Sequence, residues 1–172
     1  QSPVISCVDD ITVNCAFGDI TPPFTGTPTV TDDCSNYQLL YSDGAYSGDC
    51  PYSFTRTWTA MDACGNFSTC EQIITVIDES GPTIYCPPTK SISCGSSILP
   101  SVTGMAAAYD NCSSVSISYT DGVIEGSCPQ SFIRTWMATD YCGNTSTCEQ
   151  LINIIDNTTP VIVCPPTIDI DC

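Results

Sequence analysis

The chain has no histidine and, in 172 residues, only three basic side chains against nineteen acidic ones, for a formal charge of -16. Arg56, Lys90 and Arg134 lie far apart in sequence, so the clustered cations that hold phosphates are missing and nucleic acid is excluded as a partner. Anionic membrane surfaces are excluded for the same reason. Without histidine there is no serine or cysteine nucleophile triad of the usual kind and no zinc site that needs imidazole, so an enzyme is not expected. No run of about 18 apolar residues is present to span a bilayer, so no direct membrane insertion is expected of this segment. A basic-then-apolar leader is also lacking at Gln1, which marks the chain as a mature or excised piece. Helical periodicity is absent throughout.

Cysteine, by contrast, is abundant: fourteen residues, none in the short CxxC pairs that bind zinc. Such density in a small chain points to disulfides, an oxidising compartment and an extracellular or cell-surface location.

The cysteines also set the register of an internal repeat. Cys7, Cys86 and Cys164 correspond, as do Cys15, Cys94 and Cys172; Cys34 matches Cys112, Cys50 matches Cys128, Cys64 matches Cys142 and Cys70 matches Cys148. The step is 78 or 79 residues each time, and every cysteine is used. Residues 51–78 and 129–156 are identical at 19 of 28 positions, which makes them copies of one unit. A period near 78 suits a small domain better than a short solenoid repeat. The expected division is 1–78, 79–156 and, for a third copy cut from a longer array, its first strand in 157–172.

The segments ITVNC, PTVTDDC, YQLLYS, YSFTRTWTA and EQIITVI are short, rich in Thr, Val, Ile and aromatics, and bounded by Gly, Pro, Asp and Asn, which is the signature of strands. In SFTRTWTA, Phe54, Arg56, Trp58 and Ala60 share one face; in CEQIITVI, Cys70, Gln72, Ile74 and Val76 do. Those faces are expected to point inward. The DACGN tip between them supplies Gly65 and Asn66 for positive φ and Asp62 to bond back to the backbone. Six or seven such strands per unit give an expected all-β fold class: tandem antiparallel β-sandwich domains, stapled by disulfides.

The Cys-x-x-x-Ile-Thr-Val start, the TDDC or YDNC centre, the phrase TWTAMDACGNFSTC and the final ITVID resemble the hyalin-repeat (HYR-like) class of immunoglobulin-like domains. The resemblance is strongest to the cysteine-rich form found in tandem in surface adhesins and filament proteins of gliding bacteria. It implies tandem arrays, an extracellular place and adhesion. Cys15, Cys34, Cys50 and Cys64 exceed the two cysteines of simpler members, which suggests selection for toughness.

Six cysteines allow fifteen pairings. If the first ITV strand runs parallel to the last, Cys7 and Cys70 share one end of the sandwich, with Cys34 and Cys64, while Cys15 and Cys50 share the other. The topological expectation is Cys7–Cys70, Cys15–Cys50 and Cys34–Cys64, repeated as Cys86–Cys148, Cys94–Cys128 and Cys112–Cys142. The rival is local: Cys7 with Cys15, Cys64 with Cys70 and Cys34 with Cys50. It requires the eight-residue gap to fold back, because an extended strand holds the two sulfurs roughly 26 Å apart.

Acidic residues gather where strands end and where units meet: Asp32, Asp33 and Asp62; Asp110, Asn111 and Asp140; Asp78 and Glu79; Asp156 and Asn157. Hard oxygens suit Ca2+ at the domain junctions. The plainer reading is that they make turns and keep the surface soluble. Asn66, Asn111, Asn144 and Asn157 head glycosylation sequons, and Asn66 and Asn144 are expected to be exposed at equivalent tips. In a eukaryotic chain they could carry glycans; in a bacterial one the matches are coincidental. Arg56 and Arg134 are expected to stack on Trp58 and Trp136 and pair with a carboxylate, with ligand binding the sharper alternative. Ile73, Ile77, Leu151 and Ile155 fall on the outward face, where rods could pack against one another.

The function expected is therefore a structural and adhesive segment of an extracellular repeat array forming a fibre, stalk or filament. Its partners would be neighbouring repeats and like chains. The alternative is a carbohydrate-binding module that engages surface glycans.

Overall fold

A computed structural model describes residues 1–16, 18–33 and 36–165. Twelve strands and two single helical turns follow one another in two equivalent sets among these residues. The first set is β1 (Val4–Ser6), β2 (Ile11–Asn14), α1 (Pro22–Thr25), β3 (Thr29–Thr31), β4 (Tyr37–Asp43), β5 (Tyr52–Asp62) and β6 (Phe67–Ile77). The second is β7 (Thr83–Tyr85), β8 (Lys90–Ser93), α2 (Pro100–Thr103), β9 (Ala107–Tyr109), β10 (Val115–Asp121), β11 (Gln130–Asp140) and β12 (Thr145–Ile155).

Each unit has a four-stranded sheet, β2-β6-β5-β4 or β8-β12-β11-β10, and a two-stranded one, β1-β3 or β7-β9. The fold is the all-β, immunoglobulin-like sandwich. Antiparallel pairing holds except at one edge, where β2 runs parallel to β6 with Ile11 opposite Ile74, and β8 parallel to β12 with Ile92 opposite Ile154.

Alternation along β5 and β6 selects the core. Phe54, Arg56, Trp58 and Ala60 are buried, as are Gln72, Ile74 and Val76, while the residues between them are not. The apolar cluster in the first unit is Val13, Phe54, Ile74 and Val76; in the second it is Ile92, Phe132 and Ile152. Cores this small leave the rest of each interior to polar groups and covalent ties.

The sequence reading expected no helix, and α1 and α2 correct it. A single turn has no period to detect, but its proline start is visible in PPF and in ILPS: proline fits the first turn, where its missing N–H costs nothing. Gly26 ends α1 at a φ of 96°, its N–H donating to Pro22 O. A Cβ there would stand 3.2 Å from Val8 Cγ1.

Residues 157–165 form no strand, and the ITV-type first strand expected of a third copy would fall at 168–170, outside the described residues. In the complete units the short strand that precedes it, β1 or β7, pairs with β3 or β9, as Ile5 does with Val30 and Ile84 with Ala108. Val161, Ile162 and Val163 have no such neighbour and are exposed. Residues 166–172, with Cys172, lie outside the described residues.

Candidate functional site

The repeated phrase encodes a buried clamp. Arg56, 1% exposed, reaches across from β5 to Asp43 at the end of β4, its register partner. Its Nε and Nη2 donate to Asp43 Oδ1 and Oδ2 at 2.7 and 2.9 Å. Nη1 donates to Thr25 Oγ1 at 2.9 Å and Nη2 to Ile20 O at 2.9 Å. Its guanidinium carbon stands 4.5 Å from the Tyr41 ring centre and 6.0 Å from that of Trp58. Arg134 repeats the set with Asp121, Thr103 Oγ1, Ile98 O and Tyr119. The hydrogen-bonded Asp43 carboxylate holds the Arg56 guanidinium charged, raising its pKa against the opposing effect of burial. With its donors engaged inside the protein, this arginine organises the fold rather than a ligand. Stacking is chiefly on Tyr41 and Tyr119, one strand over from the tryptophans that the sequence suggested.

Gln72 complements the clamp. Its Nε2 donates to Asp9 O and Thr25 O, tying the loop after β1 to the end of α1. Gln150 does the same with Pro88 O and Thr103 O.

The cysteines define the more consequential site. Cys7 is bonded to Cys70 and Cys86 to Cys148, with Cα atoms 5.8 and 5.9 Å apart, each joining the end of a two-stranded sheet to the adjacent long strand. The expected pairs Cys15–Cys50, Cys94–Cys128 and Cys112–Cys142 are not formed. Cys15 is bonded to Cys112 and Cys50 to Cys142, with Cα atoms 5.8 and 5.3 Å apart, so both bridges cross between the units. Sheet order explains why Cys15 does not reach Cys50. Cys15 ends β2 and Cys50 precedes β5, with β6 between them. Two strand spacings amount to about 10 Å, beyond the Cα separation of a disulfide. The same geometry leaves Cys94 and Cys128 unbonded.

Cys112 follows the two-stranded sheet and Cys142 sits in the tip of the four-stranded one, so they are not joined to each other. Cys64 is free and exposed; its expected partner, Cys34, lies outside the described residues. Cys15 and Cys50 do occupy one end of their unit, and Cys112 and Cys142 the other end of theirs. Sequence reasoning missed that these ends face each other across the junction. The signal was present: in a tandem array, two cysteines at one end of a unit abut two at the other end of the next.

Around the bridges, Asn144 Nδ2 donates to Asp78 O at 3.1 Å and to Asp140 Oδ2 at 2.9 Å, drawing the hairpin tip of the second unit onto the linker. Asp78 Oδ1 accepts from Ser80 N, and its Oδ2 is buried without a partner. A Cβ on Gly81 would lie 2.8 Å from Thr145 O, so the linker must have glycine where it passes the start of β12.

The acidic residues mostly fold turns. Asp62 accepts from Cys64 N, Asn66 N and Asn66 Nδ2, and the bond from the Asn66 side chain is the main reason its carboxyl is held below the usual range. Asp140 accepts likewise from Asn144, and Asp110 from Cys112 N and Ser113 N. Thr158 holds the Asp156 carboxyl down in the same way. Asp32 and Asp33 line a small cleft at the far end of the first unit, with Gln1 and Val4. Glu79, Asn111 and Asn157 are exposed. Only Asp78 and Asp140 are brought together at the junction, beside the disulfide sulfurs. Of the sequons, Asn66 is exposed as expected, but Asn144 is half-buried, because its amide is committed to Asp140 and the linker.

Compared with known protein families, residues 3–76 match the HYR-like domain with 4 cysteines. No curated protein is a significant match. Among solved structures, Drosophila N-cadherin EC1-4 is similar at 8% identity over 91% of this chain and 50% of that one, with a TM-score of 0.46. The present chain thus spans half of that structure. Human mucin-like protocadherin EC1-2 matches at 9% identity over 91% and 99% of the two chains (TM-score 0.40), and mouse cadherin-23 EC22-24 at 12% over 90% and 67% (TM-score 0.41). No described helix is long and apolar enough to cross a membrane.

Proposed function

With residues 3–76 a member of the HYR-like domain family, we propose that the chain is a stretch of an extracellular structural and adhesive array, divided at 78 and 156, whose neighbouring units are locked into a stiff rod. The observation that supports this reading is the pair of disulfides crossing the junction. A single linker is a hinge. A linker plus two bridges, rooted side by side on β6, β2 and β5 and spread over about 10 Å of the sheet end, makes three connections in place of one, and this opposes twisting and bending in the plane of the sheet.

The test is to sever the linker. A specific protease site placed between Glu79 and Ser80, once cut, should leave one species of about 18.3 kDa on a non-reducing gel and two fragments after reduction. Separation without reductant would remove the reading.

Calcium, in this reading, is an addition to the junction rather than its fastening. Asp78 and Asp140 offer oxygens there, whereas the ion takes six to eight, and a sulfur already in a disulfide offers no thiolate. Removing calcium with EDTA should lower the melting temperature less than reducing the disulfides does. The opposite order would make the ion the principal tie. Binding of a surface glycan has one feature in its favour: an open cleft beside Tyr46, Tyr52 and Asp49 in the first unit. The second unit carries Ile124, Gln130 and Ser127 at those positions, so such a site would not repeat along an array.

A further inference from the structure

The lower end of the second unit reproduces the socket that the first unit offers at the junction. Within the junction a cavity of about 60 Å³ is lined by Cys15, Asp49, Cys50, Tyr52, Val76, Ile77 and Asp78 of the first unit, and closed by Cys112, Ser113 and Cys142 of the second. At the lower end of the second unit a more open cavity of about 140 Å³ is lined by Cys94, Ser127, Cys128, Gln130, Ile154 and Asp156. These are six of the seven first-unit positions one repeat later, all but the Ile77 position. Backbone placement agrees as well: Cys15 N donates to Ile77 O and Cys94 N to Ile155 O, both at 2.9 Å.

Cys94 and Cys128 are both free and exposed. They cannot relieve each other, because β12 stands between β8 and β11 and separates them by about 10 Å.

Resting on the array reading above, we propose that this lower end is a docking surface for the upper end of another copy of the unit, closed by two disulfides. Cys94 would join the cysteine at the Cys112 position and Cys128 the one at the Cys142 position. In a second copy of this chain those positions are Cys34 and Cys64, of which Cys64 is described, free and exposed. Contact between copies is then head to tail with one polarity, the heterologous kind that leaves one socket and one upper end open for further copies. Each new bond joins two thiols with loss of two protons and two electrons. Oxidised glutathione takes both up through a mixed disulfide and leaves as two glutathione thiols.

The test incubates the whole chain in a glutathione redox buffer and resolves it without reductant. The expected result is a ladder in steps of about 18.3 kDa that collapses on reduction, with a peptide map joining Cys128 to Cys64. Replacing Cys94→Ser and Cys128→Ser together should cut the ladder at least tenfold while leaving the four internal disulfides in the map. A chain that stays monomeric at equilibrium, with Cys94 and Cys128 alkylatable or bonded to each other, overturns the proposal. The same map separates the two claims. Loss of the Cys15–Cys112 and Cys50–Cys142 peptides would strike the stapled rod itself, whereas their presence in a persistent monomer strikes only this docking surface.

Discussion

Pulled from its two ends under oxidising conditions, the chain is expected to lengthen only through the segments outside its two intra-unit disulfide loops, residues 1–7, 70–86 and 148–172. Force entering at Cys7 crosses to Cys70, follows about 16 residues of β6 and linker to Cys86, and crosses again to Cys148. The loops behind those bridges, 63 and 62 residues long, bear no load. At about 3.4 Å per residue each hides roughly 210 Å of chain before the folded length is subtracted. Single-molecule stretching should show two added extensions of that order only after reduction. Equal extension with and without reductant would show that the intra-unit bridges are not formed. Cys15–Cys112 and Cys50–Cys142 lie off this shortest route, so replacing Cys15 and Cys50 by serine should leave the maximum length unchanged and loosen the angle between units. Length is thus limited by one pair of bridges and direction by the other.

The second large effect is expected from Arg56→Ala. The substitution leaves Asp43 without its bidentate partner and strips the donors from Thr25 Oγ1 and Ile20 O. Breaking a buried pair from one side costs about 3–5 kcal/mol, and because the Asp43 side chain is 28% exposed the loss should sit at the lower end of that range. Because the second unit has its own clamp through Arg134, the loss should fall on the first unit alone and split thermal unfolding into two transitions. Arg56→Lys should recover little, since an ammonium cannot make the parallel bonds to both carboxylate oxygens. Unchanged melting of Arg56→Ala would mean that the arginine is incidental to the core.

The internal copy identified the clamp before its geometry was visible. Arg56, Trp58, Asp62, Gly65, Asn66, Cys70 and Gln72 recur at one spacing, and their alternation along two strands places them inward or in a tight tip. What alternation could not reveal was the other half of each contact. Asp43 and Thr25 come from β4 and α1, 13 and 31 residues away, and α1 is too short to leave a period.

The sulfurs divide along the same line. That they form disulfides, that Cys7 is within reach of Cys70, and that Cys15 and Cys50 share one end of a unit are all consequences of composition, repeat and strand direction, which are local or periodic properties readable along a single chain. Which of them join across units was decided only in three dimensions. The order β2-β6-β5 puts a strand between Cys15 and Cys50, and the stacking of one unit's lower end on the next unit's upper end brings Cys112 and Cys142 within bonding distance instead. A disulfide forms where two Cα atoms stand about 5.5 Å apart, and that separation belongs to the packed units rather than to any spacing written in the sequence.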